Sequence, residues 1–193
     1  FDLIGIVFIH LGEPETCEHP LLGILAGAAF TAAIQSSSAS VGILQTLAQG
    51  GAVSFAGAVY VLFGQNIGTC ITAVLAAIGT GRNAKRTTII HLSFNLIGTV
   101  VFTVLCMTTP LVSILCILFP LADLVASFTP DAPAAQIANM HTIFNIGTTL
   151  LLLPAGNLLA GMAEHLLPDK KSESLAAEQR KAACKKVEDV WNS

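Results

Sequence analysis

The sequence predicts an all-α membrane protein, built on a re-entrant helical hairpin and a broken transmembrane helix. Three observations carry that expectation. Mean hydropathy is +0.74 and charged residues make up only 11%, against about 25% in soluble domains. From His19 to Gly81 there is no Asp, Glu, Lys or Arg, a stretch long enough for a hairpin plus one further span. Within it lies a polar run, Gln35-Ser36-Ser37-Ser38-Ala39-Ser40, where water should be scarce.

The chain opens on an apolar stretch, Leu3 to Ile9, expected to be the end of a helix. It lacks the basic n-region and small-residue cleavage site of a signal peptide. Gly12 to Pro20 follows as a short acidic loop with Glu13, Glu15 and Glu18. With Pro14 and Pro20 around them, these carboxylates read as a solvated loop and not as a metal site.

Residues 21–49 form the expected hairpin. Each apolar flank, at ~1.5 Å per residue, reaches about half of a ~30 Å hydrocarbon core. Two half-length helices meeting at a polar tip are tolerated in lipid only where the tip is buried in protein or lines a cavity. The first helix should end near Gln35 with unpaired carbonyls that suit a small cation. The second should begin near Ser38 or Ala39 with free N–H groups that suit an anion. Hydroxyls of Ser36, Ser37, Ser38 and Ser40 serve either ion. The plainer alternative for the same residues is a Ser-rich helix N-cap.

After the Gln49-Gly50-Gly51 turn, residues 52–78 are expected to form a helix interrupted at Gly64-Gln65-Asn66-Ile67-Gly68-Thr69. A break there frees backbone groups at membrane depth, with Asn66 and Thr69 as side-chain ligands for a hard cation. The alternative is close helix packing through small residues. Gly79 to Arg86 reads as a basic loop carrying Arg82, Lys85 and Arg86, and the remaining Lys and Arg residues lie after Pro168. By the positive-inside rule both segments are expected on the cytoplasmic side.

Residues 87–107 and about 136–165 are expected spans. They share an internal echo: His91, Phe94 and Asn95 recur as His141, Phe144 and Asn145, on one helix face each. Asn95 and Asn145 either hydrogen-bond between helices or line an ion path, with Thr148 a further lining candidate. Two crossings already separate the basic segments. Residues 110–128, with Pro120 and Asp123, are therefore expected to form a lateral or partly re-entrant helix on the outer side. Pro154 and Gly156 are placed to kink the last span. Residues 1–168 are thus a membrane domain, and 169–193 a charged, Ala-rich helical tail on the cytoplasmic side.

Other functions fit less well. A net charge of −3 without a basic stripe gives no footprint for nucleic acid. The five cysteines have no paired spacing and read as small hydrophobes. A serine hydrolase built on Ser36–Ser38 with His91 or His141 lacks the GxSxG elbow and an acidic residue to orient the histidine. No enzyme is expected. A non-transporting membrane assembly module remains an alternative, which Gln35→Ala and Ser37→Ala would separate from a transporter.

The Gln35-Ser36-Ser37-Ser38-Ala39 element, followed by Gly64-Gln65-Asn66-Ile67-Gly68-Thr69, Asn83-Ala84-Lys85-Arg86 and His91-Leu92-Ser93-Phe94-Asn95, resembles the type II sodium–phosphate cotransporters and their bacterial relatives. The resemblance covers Leu21 to about Pro154. That family carries Gln-Ser-Ser-Ser twice, once in each of two inverted halves, whereas this chain has it once. It looks like the second half, to be partnered by a first half or by a second copy. The resemblance implies sodium-coupled transport of inorganic phosphate across the plasma (inner) membrane, or phosphate export as in some relatives. It places phosphate at Ser36, Ser37, Ser38, Ala39 and Ser40, and sodium at Gln35, Ser36, Ser37, Gln65, Asn66 and Thr69.

Overall fold

The computed structural model describes residues 20–107, 121–169, 179–185, 188–189 and 191, and among them every regular element is helical. The apolar stretch at 3–9, the acidic loop at 12–19 and residues 110–120 of the expected 110–128 helix lie outside the described residues. The order is α1 (Pro20–Ile34), α2 (Ser37–Gln49), α3 (Phe55–Ala77), α4 (Arg82–Cys106), α5 (Leu121–Phe128), α6 (Pro133–Leu152), a 3₁₀ turn (Leu153–Ala155) and α7 (Gly156–Leu166). The described tail residues are helical and exposed.

Helix α3 is the axis. Val59, Val61, Leu62 and Phe63 are all but fully buried, and α1, α2, α4 and α6 pack around it. Phe63 stacks on Phe144 of α6 at 5.3 Å, and Phe102 of α4 sits 5.1 Å from Phe144. These rings join three helices at one point. On the α1 side the backbones themselves touch. A Cβ on Gly64 would lie 1.9 Å from the Ile24 carbonyl oxygen, and one on Gly68 would lie 2.4 Å from that of Ala28.

That contact explains a correction. The helix expected to break at 64–69 runs unbroken from Phe55 to Ala77. Gly64 and Gly68 admit α1 at close range, so the small-residue packing alternative holds. Asn66 and Thr69 bond back to their own helix, Asn66 Nδ2 to the Leu62 carbonyl (2.9 Å) and Thr69 Oγ1 to that of Gln65 (2.9 Å). Such local bonds are compatible with a continuous helix.

The basic segment is also not a loop. Arg82, Lys85 and Arg86 form the first turns of α4, with Gly81 at the N-cap, as befits good helix formers. Arg86 donates Nε and Nη2 to the Leu167 carbonyl (3.0 and 2.7 Å) and pairs with Asp169 at 2.9 Å, while Arg82 donates to the Pro168 carbonyl. The start of α4 and the end of α7 therefore lie at the same end of the bundle. Helix α6 begins at Pro133, earlier than expected, with proline in its first turn where no N–H is needed. The last span tightens into a single 3₁₀ turn around Pro154.

Among the described residues, three helices are long and apolar enough to cross a bilayer: Phe55–Ala77, Arg82–Cys106 and Pro133–Leu166. Helix α2, at 13 residues, is not. Leu92, Leu96, Val100 and Val104 form an exposed apolar stripe along α4, and Leu150, Leu153 and Leu158 continue one along α6 and α7. A water-facing surface of that kind is unusual, and it suits lipid or another helical unit.

Candidate functional site

Helices α1 and α2 meet at two residues. Gln35 has φ of 58°, a left-handed turn that is uncommon for a residue with a Cβ. Ser36 is the N-cap of α2: its Oγ accepts the Ala39 N–H at 3.3 Å, and its carbonyl accepts both the N–H (3.0 Å) and the hydroxyl (2.9 Å) of Ser40. The N-cap alternative therefore holds for Ser36, and α2 starts at Ser37, slightly earlier than expected. Ser40 is fully buried beneath the tip, while Gln35, Ser38 and Ala39 are exposed.

Gln65 of α3 reaches the hairpin from below. Its Nε2 donates to the Ser40 carbonyl at 3.1 Å, and its Oε1 is buried with no hydrogen-bond donor among the described residues. A buried acceptor left unpaired is costly, and it is the atom of the proposed sodium set whose chemistry best suits a bound cation.

A cavity of about 280 Å³ opens beside the tip, lined by Ser37, Asn66, Thr69, His91, Asn95, His141 and Asn145. It gathers one residue of the hairpin, two of α3, two of α4 and two of α6. The three asparagines are oriented alike. Asn66 Nδ2 donates to Leu62, Asn95 Nδ2 to His91 (3.1 Å) and Asn145 Nδ2 to His141 (2.8 Å), each the carbonyl four residues earlier. Only the amide nitrogen can donate to a carbonyl, so those bonds fix which end is oxygen. Asn95 Nδ2 also reaches Cys70 Sγ at 3.4 Å. No hydrogen bond within the described residues engages the three Oδ1 atoms. Amide and hydroxyl oxygens of this kind are ligands for a hard cation. Among the described residues, no group of three or more His, Cys, Asp or Glu side chains is placed to hold a metal ion.

The structure thus brings Ser37, Asn66, Thr69, Asn95 and Asn145 together. Of the expected phosphate set only Ser37 lines the cavity. Ser36 is held by capping, Ser38 and Ala39 face outward, and Ser40 is spent on Ser36. Gln35 is exposed at the tip. Thr148 is not on the cavity either: it packs against Gly98, whose Cβ would lie 2.6 Å from Thr148 Oγ1. Sequence reasoning missed His91 and His141 as cavity residues, although the echo that pairs them with Asn95 and Asn145 already set them on the same faces.

A polar cavity lined by three helices long enough to cross a bilayer, together with the α1–α2 tip, fits a multi-helix membrane protein with a hydrophilic interior. This chain belongs to the Na+/Pi-cotransporter family, whose sequence model matches residues 14–130. It is 37% identical over 147 residues to the uncharacterized protein YqeW of Bacillus subtilis, covering 76% of this chain and 44% of that protein. It is 41% identical over 81 residues to the human sodium-dependent phosphate transport protein 2C, covering 40% of this chain and 14% of that protein. It is 28% identical over 151 residues to the putative inorganic phosphate export protein YjbB of Salmonella typhimurium, covering 78% of this chain and 25% of that protein. The chain therefore spans less than half the length of these relatives. No solved structure matches it significantly.

Proposed function

We propose that this chain is one half of a secondary transporter that moves inorganic phosphate across the plasma (inner) membrane, coupled to sodium. The observation that carries the proposal is the shared cavity, where Ser37 meets three asparagine oxygens. Asn66, Thr69, Asn95 and Asn145 would hold sodium, with Gln65 Oε1 a second cation position beneath the tip. Phosphate would sit against Ser37 and the first N–H groups of α2. In this arrangement α1 and α2 are a re-entrant hairpin, since α2, at 13 residues, is too short to cross. The other half is an inverted repeat or a second copy that covers the exposed apolar faces. The joined ends of α4 and α7, with the basic residues, then face the cytoplasm along with the tail.

Among the described residues no lysine or arginine lines the cavity, so bound sodium would supply much of the local positive charge. Phosphate uptake measured in sodium and in choline medium tests the coupling. Uptake should fall sharply in choline, and equal rates would discard it. The likeness to an export protein favours a second direction of flux. Loss of phosphate from preloaded cells, without uptake in either medium, would establish that direction instead.

A further inference from the structure

We propose that His91 and His141 are donors that hold the oxyanion in this cavity, a pair of imidazoles that share its lining with three asparagines. This rests on the transport reading above and names the anion's ligands within it. The argument is an account of donors. Asn66, Asn95 and Asn145 each donate one amide hydrogen to their own helix, and Asn95 directs its second to Cys70, which leaves one on Asn66 and one on Asn145. Thr69 gives its hydroxyl hydrogen to the Gln65 carbonyl. The asparagine wall thus offers oxygen to the cavity, which repels an oxyanion and attracts a cation.

Besides those two amide hydrogens and the first N–H groups of α2, the donor groups on the cavity are the Ser37 hydroxyl and the two imidazoles. Each ring carries at least one N–H whether neutral or protonated. Both histidines are half-buried, and no hydrogen bond within the described residues engages either ring. They come from different helices, α4 and α6, and each sits one turn from an asparagine on the same cavity. A tetrahedral oxyanion has oxygens enough to accept from both rings and still face a sodium ion. Cation and anion then divide the cavity between acceptor and donor walls.

The test uses membranes carrying the full-length protein. In sodium-dependent uptake, His91→Phe or His141→Phe should raise the phosphate KM about tenfold, the loss expected for one hydrogen bond to a charged group. His91→Gln or His141→Gln retains an N–H and should stay within about threefold, since most of that hydrogen bond is kept. The sodium concentration giving half-maximal uptake at saturating phosphate should move less than either. An unmoved phosphate KM, or equal losses with Phe and Gln, overturns the proposal. A second measurement needs no variant: carbethoxylation of each histidine by diethyl pyrocarbonate, read by mass spectrometry. Inorganic phosphate with sodium should slow modification of both, and unchanged rates overturn the proposal. If wild-type uptake proves independent of sodium, the coupling reading fails while phosphate protection still decides the imidazole pair.

Discussion

Replacing Gly64 with alanine tests the seam on which the bundle is built. The new Cβ would lie 1.9 Å from the Ile24 carbonyl oxygen, 2.7 Å from its carbon and 2.9 Å from the Ala28 nitrogen. All three are main chain, so no rotamer change relieves them. Ordinary contact needs α1 and α3 to part by about 1.5 Å, and a gap of 0.5–1 Å already forfeits a quarter to a half of each dispersion contact. The seam is therefore lost along Gly27, Gly64 and Gly68 together. A cost of about 3 kcal/mol follows, the upper end for overpacking, offset by at most ~1 kcal/mol of helix propensity. Gly42 in the middle of α2 is the control, because a Cβ there meets nothing within 4 Å. Gly42→Ala should hold or gain up to ~1 kcal/mol. Thermal unfolding of the purified protein in detergent reads both. Gly64→Ala should lower Tm by several degrees, at roughly 2–4 °C per kcal/mol, while Gly42→Ala should not. Equal Tm values for the two would refute the close α1–α3 crossing.

Three further outcomes follow from the same geometry. Arg86→Ala removes two bonds to the Leu167 carbonyl as well as the ion pair, and should cost about 1–2 kcal/mol in detergent unfolding. Asp169→Ala should cost a few tenths at most and nothing in high salt, because Asp169 is 54% exposed. Ser36→Ala removes the N-cap of α2 and should cost about 1 kcal/mol, with Ser36→Gly losing only a few tenths in the same melt. Asn66→Ala should raise the sodium needed for half-maximal phosphate uptake by about tenfold, the worth of one oxygen ligand to a charge. An unchanged sodium dependence would remove Asn66 from the cation set.

Much of this was legible in sequence, and what was not has a physical reason. The junction of two helices at Gln35 and Ser36 could be read because a polar run between two apolar flanks marks a helix end and a new N-cap. The His-x-x-Phe-Asn echo could be read because helix periodicity alone puts His91 with Asn95 and His141 with Asn145. That all four face one cavity with Ser37 depends on how α4 and α6 rotate about α3, which periodicity within one helix does not contain. Gly64 and Gly68 misled for a related reason. A glycine pair in an apolar helix has the same local signature whether it breaks the helix or admits a neighbour, and here the neighbour is Ile24 to Ala28 of α1. Thr148 falls three residues after Asn145, yet the approach of Gly98 turns it into a helix contact.

The unbroken α3 changes where ligands must come from. A broken helix would offer main-chain carbonyls at membrane depth, and loss of one side chain would then be partly compensated by its backbone. In α3 the carbonyls of Leu62 and Gln65 are already taken by Asn66 and Thr69, in addition to the helix's own ladder. Only side-chain oxygens of α3 remain for an ion. Among the described residues, the helix boundary at the cavity is the two-residue junction at Gln35 and Ser36, and Gln65 ties that junction to α3 through the Ser40 carbonyl. Movement of the hairpin relative to α3 would have to break this bond. If Gln65 Oε1 takes the proposed cation, ion binding and the position of the tip are coupled through a single side chain.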